Sequence, residues 1–260
     1  MSMEKIIKLE NITKVYTHRG NKTVACKNIS FEVAEGDSVS LLGLNGAGKT
    51  TLIHILCASI LPTSGEAYIC GYNTTDAISV KQNIGVLHEK NPLYEHMKVF
   101  EFLHFYQNMY EKDNTDDINQ MCELFGLTEL KQTAIKNLSK GFKQRVGLAA
   151  CTIHKPRLLI LDEPSSGLDA MQQREFENIL VELQKQTTLI LCTHDLEQAA
   201  KVCKRHILLH KGIVCAQGTL EDIYKMIDTN DVASEIKINN GKQILEKAFK
   251  QFNNLPTQNV

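Results

Sequence analysis

No stretch of the 260-residue chain offers roughly twenty uncharged apolar residues in a row, so nothing in it reads as a membrane span. A secretory leader is missing from the reading too, because "MSMEKIIKLEN" puts Glu4, Lys5 and Lys8 where an apolar segment would be needed. Charge of one sign is not in excess. Lys plus Arg number 29 against 30 acids, which excludes a global field able to hold a polyanion such as DNA and leaves room only for a localised anion site. The eight cysteines form no C-x-x-C pair, and several lie inside apolar runs. They read as reduced, buried thiols of a cytosolic protein rather than a disulfide framework or zinc site. Internal repeats and low-complexity tracts are also lacking. What is present is 43% hydrophobic residues, enough to bury a core in one large domain or in a core carrying a smaller subdomain.

Short β-like runs come first, at "KIIKLE", "ISFEV" and "SVSLLG", and a helix is expected from Gly48 through "TTLIHILCASI" to near Pro62. Strand-like runs return from "GEAYICG" to "NIGVL". From about Phe100 to Leu138 the chain reads as helical, with Phe102, Phe105, Tyr106, Met109 and Tyr110 on one expected face and Ile118, Met121, Cys122 and Phe125 on the next. Helical spacing alone explains these stripes as core. "RLLILDEP" then suits a strand buried on both faces of a parallel sheet, followed in βα order by a helix at Ala170 to Gln184, the strand "TTLILCT", a helix from Asp195 and the strand "HILLH". After "GTLEDIYKMI" and a polar stretch, "ILEKAFKQF" reads as an appended helix, with Ile244, Leu245, Ala248, Phe249 and Phe252 on one side.

"GLNGAGKT", Gly43 to Thr50, satisfies G-x-x-x-x-G-K-[ST] after an expected strand and at the opening of an expected helix. The backbone N–H groups of Asn45, Gly46, Ala47, Gly48, Thr50 and Thr51 suit a phosphate chain, because loop and helix N-terminus present oriented, unpaired donors. Lys49 reaches the β and γ phosphates in this reading, and the Thr50 hydroxyl takes Mg²⁺. An ordinary glycine turn before a helix is the alternative. Asp162 and Glu163 end the buried strand, where open α/β sheets present ligand groups. Asp162 fits a Mg²⁺-holding acid and Glu163 a group that polarises the attacking water, the alternative being a solvated acidic turn. Ser139 fits the N-cap of the following helix, whose positive end favours an anion. Arg145 and Lys143 read as a solvated helix face, and the remaining histidines show no ligand spacing.

With both halves of a nucleotide site in hand, the chain resembles the nucleotide-binding subunit of ABC transporters over about residues 4 to 227, and within that family the subunits paired with ABC-2 type permeases. "LSKGFKQR" looks like the family's signature, "SGLD" at Ser166 to Asp169 like its D-loop, and "THD" at Thr193 to Asp195 like its switch-histidine segment. The resemblance implies an α/β fold: a P-loop NTPase core with a mostly parallel sheet, an N-terminal antiparallel β part and an α-helical subdomain inserted at about 98–150. It implies an ATP-binding domain over 1–227, with 228–260 as a C-terminal extension. It places His194 near the γ phosphate, Tyr16 where an aromatic ring stacks on adenine, and Ser139 and Gly141 over ATP held by a second subunit. Glu89 stands where the family has its Q-loop glutamine, and can meet Mg²⁺ or water but cannot donate a hydrogen bond while ionised. Lys140 and Phe142 replace a glycine and the glutamine of the usual L-S-G-G-Q.

The expected function is therefore hydrolysis of ATP with Mg²⁺ in a two-subunit sandwich on the cytoplasmic face of the membrane, driving a separate permease, in the export direction, without nucleic acid. The rivals are a soluble ABC-type ATPase of DNA repair or translation and an ATP-sensing regulatory subunit. The first calls for long coiled coils or two cassettes, and the sequence shows neither.

Overall fold

The structure, a computed structural model, describes residues 4–110, 115–227 and 241–253. Two sheets organise them. β1 (Lys5–His18), β2 (Asn21–Ala34), β4 (Ser64–Ile69) and β5 (Tyr72–Asn73) form an antiparallel sheet in the order β2-β1-β4-β5. β3 (Ser38–Gly43), β6 (Ile84–Leu87), β7 (Leu158–Asp162), β8 (Thr188–Cys192), β9 (Arg205–His210) and β10 (Ile213–Gly218) form the second, in the order β10-β9-β3-β8-β7-β6. Its neighbours are parallel except for the edge pair of β9 and β10.

The uninterrupted apolar strands work because each face of the second sheet has its own cover. Side chains alternate across a strand. Leu158 and Ile160 of β7, with Ile190 and Cys192 of β8, enter a core shared with the antiparallel sheet and α1 (Lys49–Leu56). Leu159, Leu161, Leu189 and Leu191 enter a second core built with α3 (Val99–Met109), α4 (Thr115–Leu124), α5 (Lys140–Thr152) and α6 (Ala170–Leu183). α2 (Ala77–Asn83) precedes β6, so α3, α4 and α5 are an insertion between β6 and β7. A third core joins Leu42 and Leu208 to α7 (Leu196–Val202), α8 (Leu220–Met226) and α9 (Gly241–Asn253), whose Ile244, Leu245 and Ala248 are fully buried. Residues 228–240 and 254–260 of the expected extension lie outside the described residues.

Several local expectations need correction. β1 and β2 run 14 residues each, far beyond "KIIKLE" and "ISFEV"; their distal halves are largely exposed and lose the apolar alternation, and are held by ladder bonds together with side-chain bonds such as Lys14 to the Leu61 carbonyl at 2.7 Å. α1 stops at Leu56 rather than near Pro62, since Ala58 takes a left-handed φ of 49°. α2 lies inside a stretch read as strand; it is capped by Asp76, which accepts from the Ser79 N–H at 3.2 Å, and buries only Val80, too little to leave a periodic trace. The helical reading to Leu138 also fails after Phe125, where only single 3₁₀ turns occur at Thr128–Leu130 and Ile135–Asn137.

The aromatic stripe of α3 is core only in part. Its buried line runs through Val99, Phe102, Leu103 and Gln107, whereas Phe105 is 38% and Met109 63% exposed on the flank. Arg145 is not on a solvated face: it pairs with Glu175 and lies over the Phe142 ring, 5.2 Å from its centroid. All eight cysteines are free; seven are buried and Cys215 is half-buried.

At the centre of the second sheet, Ser40 and His206 face each other across β3 and β9 and share a 2.7 Å hydrogen bond. Burial lowers the His206 pKa to about 4, so the folded chain holds it neutral. In the unfolded chain its pKa is about 6.5. The stability this gives is complete above about pH 6.5 and is lost as pH falls toward about 4, because only the unfolded chain takes up the proton in that window. Between about pH 7.5 and about pH 5, urea unfolding is expected to show the wild type losing about 2 kcal/mol more than Ser40→Ala/His206→Leu. Equal losses would remove His206 from the acid response.

Candidate active site

β3, β8 and β7 are adjacent and parallel, with Leu41 opposite Cys192 and Cys192 opposite Asp162, so the loops after all three strands leave from one edge. The loop after β3 is shaped by glycines for two different reasons. Gly43 leaves room for the Leu209 carbonyl, which would be 2.7 Å from a Cβ placed there. Gly48 is the N-cap of α1 with φ 102°, a conformation unfavourable for any other residue, and a Cβ would collide with the Ala25 carbonyl. The first turn of α1 contains no acid to neutralise its N-terminus.

Lys49 is only 9% exposed, and its ammonium donates to the Gly43 carbonyl at 2.6 Å and the Leu44 carbonyl at 3.4 Å. The loop therefore closes on its own cation, as a buried charge requires. Thr50 is exposed immediately beyond it, and Thr51 is half-buried.

Across the sheet edge, burial holds the Asp162 carboxyl above its usual range, and the charge of Glu89 adds to the effect. Hydrogen bonding to Cys192 and the charges of His88 and Lys49 oppose it. Glu89 after β6 and Lys49 at the start of α1 thus both act on Asp162 at the end of β7. Glu163 has a left-handed φ of 46°, is followed by Pro164, and is fixed by its N–H donating to the Cys192 carbonyl at 2.8 Å. Its carboxylate meets His194 Nδ1 at 2.8 Å, with His194 73% exposed and Glu163 16%. Asp195, next in the chain, caps α7 by accepting from the N–H groups of Glu197 and Gln198, and so sets the backbone that carries His194.

The other sequence candidates lie on α5 and β1. Ser139 caps α5, accepting from the Phe142 N–H at 3.4 Å, and Gly141 packs against Gln172, which a Cβ would approach to 3.0 Å. Among the described residues no hydrogen bond or ion pair joins either to the Gly43–Thr51 loop. Tyr16 is exposed near the end of β1, with the Lys14 ammonium 5.4 Å from its ring centroid. The Lys140 amine folds against Gly167 of the "SGLD" turn. Cys192 was not a sequence candidate; its place beside Asp162 follows from strand register, which one sequence does not display.

The donors around Lys49 suit a hard cation. The hydroxyl of Thr50 and the carboxylates of Asp162 and Glu89 are all oxygen ligands, and too few to form a closed cage, which matches a Mg²⁺ that retains water and phosphate oxygens. Among the described residues no cluster of three or more His, Cys, Asp or Glu forms a self-sufficient metal site.

A glycine loop closed on a lysine at a helix N-terminus, facing an Asp-Glu pair on a nearby parallel strand, defines a P-loop nucleoside-triphosphate hydrolase. The family model described as ABC transporter matches residues 26–166. The chain is 34% identical over 235 residues to the uncharacterised ABC transporter ATP-binding protein YxlF of Bacillus subtilis (strain 168), covering 89% of this chain and 77% of that protein. It is also 34% identical over 237 residues to the spermidine/putrescine import ATP-binding protein PotA of Borreliella afzelii (strain PKo), covering 89% of this chain and 67% of that one. A solved structure of the ATP-binding subunit of an ABC transporter superposes with a TM-score of 0.79 at 27% identity, over 95% of this chain and 98% of the other. The chain belongs to the ABC transporter family as an ATP-binding subunit, and it is an ATPase.

Substituting Gly48→Ala is expected to cost at least about 1–2 kcal/mol from backbone strain alone and to abolish the rise in melting temperature that ATP produces. Wild-type stability together with an undiminished ATP shift would show that the loop has room for a side chain.

Proposed function

We propose that this subunit binds ATP with Mg²⁺ and hydrolyses it in a sandwich of two subunits, and that the cycle drives a separate membrane permease. The contact between Glu163 and His194, at the sheet edge that also carries the Lys49 loop, is the observation that most favours hydrolysis over simple nucleotide storage. Lys49 and the loop donors bind the β and γ phosphates, and Tyr16 stacks on adenine. Thr50, Asp162 and Glu89 would hold Mg²⁺, which neutralises phosphate charge when bound. Glu163 orients a water toward the γ phosphorus and takes its proton. A new P–O bond forms as the bond from γ phosphorus to the β–γ bridging oxygen breaks, and ADP and phosphate depart. His194 positions Glu163 and faces the γ phosphate.

Ser139 and Gly141 serve the other subunit's nucleotide. They sit at a capped, positive helix end outside the chain's own phosphate loop, and this separation supports a shared site. ATP-binding subunits of this family act in pairs beside membrane permeases. The permease docks against the insertion near residues 91–106, where Tyr94 and Phe105 are exposed with ring centroids 5.6 Å apart and Met109 extends the apolar surface. Among the described residues no helix is long and apolar enough to cross a membrane. Residues 1–227 form the cassette and 228–260 an extension of it, and the subunit works at the cytoplasmic face. Export rests on the resemblance to ABC-2 type systems. PotA, a spermidine/putrescine import ATP-binding protein, stands at the same identity to this chain as YxlF.

Glu163→Gln is expected to keep ATP affinity and lose turnover by at least about a hundredfold, as measured by phosphate release. Normal turnover in that variant would contradict the role of Glu163. Lys49→Ala is expected to weaken ATP binding, measured by equilibrium dialysis, and unchanged affinity would count against the phosphate cradle. Affinity purification of tagged Glu163→Gln protein from detergent-solubilised membranes, with ATP and Mg²⁺, is expected to recover a multi-span protein in stable proportion. Recovery of soluble partners alone would contradict the permease reading.

A further inference from the structure

The segment after β6 is tied to the Glu163 turn by side chains that the catalytic reading does not use. Asn91 Nδ2 donates to the Lys143 carbonyl at 3.1 Å and to Gln144 Oε1 at 3.1 Å. Gln144, on α5 and 4% exposed, donates from Nε2 to the Pro164 carbonyl at 3.0 Å, one residue beyond Glu163. Both ends of the Gln144 amide are therefore engaged, and reversing it would lose both bonds. The space for this arrangement comes from Gly147, where a Cβ would collide with the Asn91 amide. Lys143 ties the same segment to α5 a second time through Glu95 at 2.8 Å.

The turn at the far end of this chain needs holding. Glu163 is in the left-handed region, Pro164 has no N–H to contribute, and the Pro164 carbonyl belongs to a buried residue. Other restraints on it include the Glu163 N–H to Cys192 carbonyl bond, the Ser166 N–H to Glu163 carbonyl bond at 3.1 Å, the Leu168 N–H to Ser165 carbonyl bond at 3.1 Å, Gln198 donating to Ser165 Oγ at 2.9 Å, and the contact of the Glu163 carboxylate with His194. Among the described residues, Gln144 is the side chain of the helical insertion that hydrogen-bonds to this turn.

We propose that Asn91 and Gln144 form a positioning relay that sets the Glu163–Pro164 turn, so that displacement of residues 89–95 changes the aim of the Glu163 carboxylate. The relay rests on the role proposed for Glu163. Each acts through the backbone beside Glu163, as a positioning residue. Gly147 belongs to the same device because only a residue without a side chain admits the Asn91 amide.

The test is steady-state ATPase kinetics on the full chain, with ATP affinity measured separately by a fluorescent analogue. Asn91→Ala, Gly147→Ala and Gln144→Glu are each expected to lower kcat about tenfold while the dissociation constant for ATP moves less than about twofold. Gln144→Glu retains the size of the side chain and its acceptor for Asn91 but, while ionised, cannot donate to Pro164, so it separates the hydrogen bond from packing. Asn91→Ala combined with Gln144→Glu is expected to be no slower than Gln144→Glu alone, because both cut one chain. Unchanged kcat in Gly147→Ala and Gln144→Glu, or independent multiplication of the two defects, would overturn the relay. Glu163→Gln measured alongside separates the two levels: if it is inactive while the relay variants turn over normally, only the relay fails. Wild-type turnover in Glu163→Gln would overturn the relay and its foundation together.

Discussion

β3, β8 and β7 lie side by side in parallel, and their last residues must leave the sheet at one edge. Because these strands are buried on both faces, the chain cannot continue as strand into solvent without exposing the apolar residues that define it. Each strand ends in a loop instead, and a loop at a sheet edge presents backbone groups and short polar side chains. The Lys49 loop, the Asp162–Glu163 pair and His194 are brought together by that register. Their chemistry depends on it, since the charges of Glu89 and Lys49 reach Asp162 only because three segments converge.

The same sheet explains why the molecule divides its chemistry between two ends. One face is covered by the antiparallel sheet and α1, which bring the Ala25 carbonyl against Gly48. The other is covered by the insertion, and α5 carries Ser139 at its N-terminus with Gln144 one turn further along. A single helix therefore carries the Ser139 cap at its N-terminus and holds the Pro164 carbonyl through Gln144. Lys140, folded onto Gly167, brings a positive charge to the neighbouring turn where the usual signature has a glycine.

What the sequence made legible was chemistry fixed by contiguous residues. "GLNGAGKT" needs no tertiary partner to be recognised, and the four apolar residues of "LLIL" state their own burial. Elements fixed by distant contacts were not legible. The distal halves of β1 and β2 are ladder-bonded but exposed, and α2 buries one side chain, so neither carries a periodic signal. Phe105 and Met109 follow helical spacing as well as Phe102 does, and only the packing partners of α3 decide which of them is covered. At the site, Cys192 beside Asp162 and the Asn91–Gln144–Pro164 chain arise from strand register and interhelical approach, properties that pairs of residues far apart in sequence share without any local pattern.

The account depends most on a nucleotide site completed by a second subunit. Light-scattering molar mass of the Glu163→Gln protein, with and without ATP and Mg²⁺, tests this directly. A monomer that becomes a dimer when ATP is added, and reverts when ATP is removed, is the expected result. A protein that remains monomeric at full ATP occupancy would contradict it, because Ser139 and Gly141 would then have no nucleotide to close upon.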